Sequence, residues 1–346
     1  MTKVEKSCNM LSQRNLTLYQ KAIIINALLL SKIWYVAHTL PLPKKFSQKI
    51  NSCIFRYLWK GMYQPIRRST LYLPKNEGGL GVIDVYNKAA AIFGATCLKA
   101  IVSGNGLSCY YCKIRLSHMV NSININEVSY ISTPFYSEAI GCIRKVYHQP
   151  KFPKLKSKEI YRCLITKSKP VVEANYPLSD WNRVWKRINN PLVDISEREF
   201  LFRYIHETLA SNQRLFMLNI RDNGNCDKCG EAEHSLHIFY FCEGIRNIRN
   251  WFMNILSRLC NISSSEVLNA LLLNFKYCEA KHDNLVLIVI SDYLYVLWIS
   301  RMKNYDNQQI FLYLKNKFKY SRWLIKCLLE KNITELFPKK YIDYEF

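Results

Sequence analysis

Four residues past the middle of the chain have the types and spacing of a metal site. The segment Asn225 to Cys242 reads NCDKCGEAEHSLHIFYFC, so Cys226 and Cys229 form a C-x2-C pair, His237 follows after seven residues and Cys242 after four more. Such a pair can wrap one ion from a tight turn, and Gly230 relieves the backbone where sulfur and amide groups crowd the metal. Three thiolates and one imidazole close a tetrahedral shell with no position left for water, so the set is expected to hold one structural Zn2+ and not a hydrolytic ion. His234 is a competing nitrogen three residues before His237. His237 is favoured because its short return to Cys242 matches the compact loops of zinc knuckles. Leu236, Ile238, Phe239 and Phe241 are expected to form a small apolar core clamped by the metal, a subdomain that folds only when metallated.

No other constellation carries chemistry as clearly. Cys109 and Cys112 also form a C-x2-C pair, but two tyrosines separate them, no glycine follows, and the next candidates are His118 and the distant Cys142. They are expected to be buried structural thiols. The nine aspartates are dispersed with no Asp-Asp pair, and neither a P-loop, a Ser/His/Asp arrangement nor a nuclease-like carboxylate cluster is present. The chain is therefore expected not to be an enzyme.

The elements that must position the metal ligands are mainly helical. Glycine and proline are sparse, at 11 each in 346 residues, and apolar positions recur at helical spacing, as in Leu11, Leu18, Ala22, Ile25 and Leu29. A first helical stretch should run to about His38, and a second over Phe46 to Trp59 with Ile50, Ile54, Phe55 and Leu58 on one face. After the Gly78-Gly79-Leu80-Gly81 turn a helical pattern resumes at Val82. Trp34, Tyr35, Phe55 and Trp59 fall on helical stripes and are expected in the core. The apolar runs Ala22 to Leu30 and Leu285 to Ser300 are too short, or too interrupted, to span a bilayer and read as buried core helices. The organisation expected is a helical region at 1–105, a basic linker at 106–180, a small metal-stabilised module at 181–245 and a helical region at 246–346.

Charge points to the partner. The 49 Lys and Arg against 26 Asp and Glu leave +23, an excess that repels itself unless a polyanion is near, and nucleic acid is the default polyanion. Residues 1–60 hold ten basic residues and one acidic, whereas 181–240 hold eight of each, so the basic surface lies outside the metal segment. Arg14, Lys21, Lys32, Lys44, Lys45, Arg67, Arg68 and the cluster Lys151, Lys154, Lys156 and Lys158 are expected to contact phosphates. Tyr63, near Arg67 and Arg68, could stack on unpaired bases. The 13 cysteines are scattered and odd in number, which suits free thiols and metal ligands in a reducing compartment. The start is polar with no secretory signal, so an intracellular protein, cytoplasmic or nuclear, is expected. No membrane and no small-molecule substrate is anticipated. The alternative is a degenerate relic or metal-stabilised scaffold with no nucleic-acid partner.

With these motifs in place the chain resembles the C-terminal part of a non-LTR (LINE-type) retrotransposon reverse transcriptase. The early likeness rests on Arg14-Asn-Leu-Thr-Leu18, Lys21-Ala-Ile-Ile-Ile-Asn26, Leu30-Ser-Lys-Ile-Trp-Tyr35, Leu40-Pro-Leu-Pro43, Ile54-Phe-Arg-Tyr-Leu-Trp59 with Gly61, and Leu73-Pro-Lys-Asn-Glu-Gly-Gly-Leu-Gly81. In that family this region resembles a helical thumb that grips template and primer. The later likeness rests on Trp181-Asn-Arg-Val-Trp185, on Phe200 to Leu215 and on the cysteine segment, and it is similar to the reverse-transcriptase zinc-binding domain. The family motif maps onto Cys226, Cys229, Gly230, Glu233, His237 and Cys242. RNA or DNA, and a separate polymerase chain, are the partners this resemblance implies. Paired catalytic aspartates, which a polymerase needs for its two metal ions, have no counterpart here. Because the likeness starts at the first residue, a separated fragment of such an element is expected; the last hundred residues match no motif.

Overall fold

The computed structural model describes residues 2–61, 63–103, 105–121, 134–149, 154–165, 169–260, 266–275 and 280–330. Among them the fold is mainly α, as expected, with 17 α-helices, no β-strand and a single isolated β-bridge between Asn225 and Ala232. The chain divides into two compact units, one of residues 1–74 and 78–169, the other of residues 75–77 and 170–346.

The first unit contains α1 (Thr2–Ser12), α2 (Leu18–Ile24), α3 (Ser31–Ala37), α4 (Lys44–Trp59), α5 (Arg68–Tyr72), α6 (Val85–Ser103), α7 (Leu107–Asn121), α8 (Pro134–Val146) and α9 (Ser157–Leu164). Thr17 caps α2 by accepting from the Gln20 amide, while the Gln20 side chain accepts from the Thr17 amide. Pro43 cannot continue a helix behind it and opens α4. Asn26 joins a π-helical turn, Ile25–Leu29, to the glycine turn: its Nδ2 donates to the Gly81 carbonyl at 2.8 Å and its Oδ1 accepts from the Ile83 amide at 3.0 Å. The organising element is α6, which packs against α3, α4, α7, α8 and α9. Its small residues allow close approach; a Cβ on Gly94 would stand 2.7 Å from the Cys142 sulfur of α8. Phe93, Leu98, Leu116, Ile143 and Ile160 share this core. The stretch 106–180, expected as a basic linker, thus carries α7, α8 and α9, where Lys145 and Lys158 are exposed while Ile140, Ile143, Val146, Ile160 and Leu164 are buried.

The second unit holds α10 (Val171–Asn175), α11 (Trp181–Ile188), α12 (Ile195–Ile205), α13 (Asn212–Met217), α14 (Arg246–Cys260), α15 (Val267–Leu271), α16 (Ala280–Met302) and α17 (Asn307–Glu330). Aspartate or serine side chains accept from backbone amides at the starts of α11 (Asp180), α12 (Asp194) and α13 (Ser211). The axis of the unit is α16, contacted by α12, α14, α15 and α17. Both α6 and α16 are long and apolar enough to cross a membrane by length and composition. For α16 the apolar window is 72% buried within the protein, which is the condition of a core helix, in keeping with the reading of 285–300. Phe252 of α14 stacks on Tyr293 of α16 with ring centroids 3.6 Å apart.

A charged cluster lies inside this core. Lys317 of α17 forms ion pairs with Glu197 of α12 and, at 3.7 Å, with Asp292 of α16, and the Ser321 hydroxyl donates to Asp292 at 2.6 Å. Burial pushes the carboxyls of Glu197 and Asp292 up, and for Asp292 the Glu197 charge adds to the rise. Burial also opposes the Lys317 ammonium, yet the two carboxylates outweigh it and hold its pKa up at about 12.

Candidate metal centre and basic groove

The metal site is built from two short pieces of backbone. In the first, the Cys226 amide donates to the Glu231 carbonyl at 2.7 Å and the Gly230 amide to the Cys226 carbonyl at 2.9 Å, closing a tight loop around Cys226 and Cys229. Gly230 sits at φ 79°, a left-handed conformation that a side chain would strain. In the second, His237–Phe241 form a π-helical turn, and the Cys242 amide donates to the His237 carbonyl at 2.9 Å. Five residues along an α-helix would rotate His237 and Cys242 apart by about 140°. The wider π turn reduces that angle and brings both to one side.

The resulting cluster is compact. One ligand atom from each of Cys226, Cys229, His237 and Cys242 lies within 4.8 Å of all the others, so the four can bind one metal ion. Cys242 Sγ is 3.8 Å from both Cys226 Sγ and Cys229 Sγ, and Cys229 Sγ is 3.2 Å from His237 Nε2. A tetrahedron with metal–sulfur bonds of ~2.3 Å has sulfur–sulfur edges of ~3.8 Å, whereas a disulfide would bring sulfurs to ~2.05 Å. Burial pushes the Cys226 thiol up, while the Lys228 and Cys229 amides that point at its sulfur favour the thiolate. Cys242 is pushed up to about 12 by burial and then by the Cys226 charge. Burial and His234 lower the His237 pKa, which keeps its imidazole neutral and its lone pair free for a metal. Metal binding must therefore expel thiol protons. His234 is exposed and stands outside the ligand set; its Nδ1 accepts from the His237 amide at 3.1 Å.

The metal loop does not enclose a core of its own, contrary to the expectation for Leu236, Ile238, Phe239 and Phe241. Phe241 is 46% exposed and Leu236 half-buried, whereas Phe239 is fully buried against Phe200 and Tyr204 of α12. Tyr293 of α16 donates to the Phe239 carbonyl at 2.9 Å. Lys228 Nζ donates to the Tyr305 carbonyl, and Asn307 of α17 to the Gly244 carbonyl. Glu233, 4% exposed, accepts from the Asn212 amide at 2.8 Å and pairs with Arg301 at the end of α16. Sequence reading singled out Glu233 but missed Asn212 and Arg301, which lie 21 and 68 residues away. Cys142 is buried, and Cys109 and Cys112 are half-buried; among the described residues they join no metal cluster.

The expected phosphate contacts all belong to the first unit, but not all can serve. Lys21 is 3% exposed; its ammonium donates to the Leu58 carbonyl at 2.9 Å and lies 5.7 Å from the Tyr57 ring, so it is a core residue and not a phosphate contact. The reason is its place on the inner face of α2 beside Leu18 and Ala22. Arg68 is half-buried, bonded to Gln64 at 2.9 Å and lying 4.9 Å from the centre of the Phe55 ring. Arg14, Lys32, Lys44, Lys45, Arg67, Lys154, Lys156 and Lys158 are exposed, with Lys32 donating to the Ser7 hydroxyl; Lys151 lies outside the described residues. Phe55 is fully buried and Trp34 and Trp59 half-buried, but Tyr35, also expected in the core, is 84% exposed.

A groove of about 1050 Å³ runs between α1 and α4. Lys45, Lys49 and Arg56 line one wall, at intervals of 4 and 7 residues that keep them on one face of α4, and Lys60, just past the end of the helix at φ 56°, joins them. Glu5 is the acidic residue in the lining. Of the four cations sequence reading named Lys45 alone; the helical spacing of the others was visible, their opposing wall was not. Comparison with known proteins finds no matching family model and no curated protein with significant similarity.

Proposed function

We propose that the chain is a non-catalytic nucleic-acid-binding protein whose second unit is organised by one structural zinc ion, and that it corresponds to the C-terminal part of a LINE-type reverse transcriptase. The observation that carries binding is the α1–α4 groove, where four cations face one carboxylate and none forms an ion pair among the described residues. An arrangement of unpaired cations along a groove suits a polyphosphate backbone, because each phosphate neutralised releases a condensed counterion. Three sulfurs and one nitrogen suit zinc, and a shell filled by four protein ligands leaves no site to activate water, which argues for a structural ion. The family assignment rests on the sequence motifs, and the lack of paired aspartates argues against polymerase activity.

The test is a salt titration of the full chain with a 20-nucleotide RNA or DNA. Four groove contacts to a single strand give a slope of log affinity against log salt of about −3 or steeper. Affinity independent of salt, or no binding at low salt, would instead favour the partnerless scaffold.

A further inference from the structure

The two faces of α17 differ in character. Its inner face carries Ile310, Leu314 and Phe318 into the core, with Lys317 and Ser321 held by Glu197 and Asp292. Its outer face is exposed and carries Lys315, Lys319, Tyr320 and Trp323. The rings of Tyr320 and Trp323 are 54% and 59% exposed, with centroids 6.0 Å apart and planes at 33°. No Asp or Glu occurs between Asn307 and Trp323. An aromatic pair of this size left in water, on a helix stretch that carries lysines and no acid, with Lys317 Nζ 5.6 Å from the centre of the Tyr320 ring, is an arrangement that core packing does not require.

We propose that this outer face of α17 binds an unpaired nucleic-acid strand, with bases stacking on Tyr320 and Trp323 and phosphates lying against Lys315 and Lys319. The surface belongs to the second unit and shares no residue with the α1–α4 groove; the proposal rests on the reading that the chain binds nucleic acid. Stacking on exposed rings tolerates any base, because every base has a π-face, while lysines one turn apart supply the backbone attraction. The buried anchors of the inner face hold the outer side chains on a rigid helix, so little ordering remains to be done on binding. A membrane surface is the other anionic partner such a helix could meet. An interfacial helix, however, needs a continuous apolar stripe, and on the described outer face Lys315, Asn316 and Lys319 interrupt Leu312, Tyr320 and Trp323.

The experiment compares the full chain with Tyr320→Ala/Trp323→Ala, using a 20-nucleotide single-stranded DNA, an abasic strand of the same length and vesicles containing phosphatidylserine. The wild type is expected to prefer the base-bearing strand. The double variant should lose about tenfold or more on that strand, with little change on the abasic one. Tyr320→Phe/Trp323→Phe, which keeps both rings, should retain most of the affinity. Where the alanine pair lowers the melting temperature, Tyr320→Gln/Trp323→Gln carries the same expectation. Equal losses on both strands, no loss, or a loss confined to vesicles would overturn the proposal. Lys45→Gln/Lys49→Gln should weaken both strands and leave the preference for bases intact. If that groove variant binds both strands normally while the ring variant fails, the groove reading falls and this one stands; if the wild type binds neither strand, both fall.

Discussion

Cys226→Ser is expected to abolish stoichiometric metal binding and to unfold the second unit at 37 °C. The serine hydroxyl is a poor substitute for a thiolate, and the three ligands left cannot close the tetrahedral shell. Structural zinc contributes on the order of 10 kcal/mol, comparable with the whole ~5–15 kcal/mol stability of a domain. The effect should spread beyond the loop because the loop is fastened to the rest of the unit: Glu233 to Arg301, Lys228 to the Tyr305 carbonyl, Asn307 to the Gly244 carbonyl and Phe239 to Tyr293. Elemental analysis should find one ion per wild-type chain and far less in the variant, and circular dichroism should show lost helix from the second unit. A strong chelator should reproduce the loss in the wild type. One retained ion with an unchanged melting curve would refute the ligand set.

Lys317→Met should destabilise the second unit by about 3–5 kcal/mol at neutral pH, the cost of stranding buried carboxylates without their counter-charge. The loss should depend on pH with a definite sign. Burial already raises both carboxyl pKa values, and removal of the ammonium raises them further. A group whose folded pKa is raised favours the folded state below its unfolded pKa of about 4, and that contribution disappears as pH rises through the folded value. The variant should therefore approach wild-type stability at acid pH and fall away towards neutrality. Denaturant titrations at two pH values measure this; a constant difference, or one below about 1 kcal/mol, would mean the cluster does not act as an ion-paired unit.

The metal site was legible because its four ligands fall within seventeen residues and their spacing alone narrows the geometry. Its attachment was not legible, since Glu233 meets Arg301 across 68 residues and no local pattern links them. Lys21 was misread because residue type was given more weight than position. Its neighbours Leu18, Ala22 and Ile25 already marked that face of α2 as internal, and a lysine there can satisfy its ammonium on a carbonyl in the last turn of another helix, here that of Leu58 in α4. In 106–180 the lysines and prolines masked α7, α8 and α9, whose cores are made partly of small residues such as Ala139 and Cys142 that score weakly as apolar signals. Tyr35 shows the opposite error: an aromatic on a helical stripe need not be buried when the helix is short and lies at a surface.

Under the proposed function, this basic surface holds nucleic acid through phosphate contacts. It is tested most directly by the salt dependence of single-strand binding in the wild type and in a variant with Lys45, Lys49, Arg56 and Lys60 all changed to glutamine. At about 0.7 counterions per contact, loss of four contacts should flatten the slope by about 3 and weaken binding most at low salt. A variant with the slope and affinity of the wild type would mean that the groove does not hold the strand.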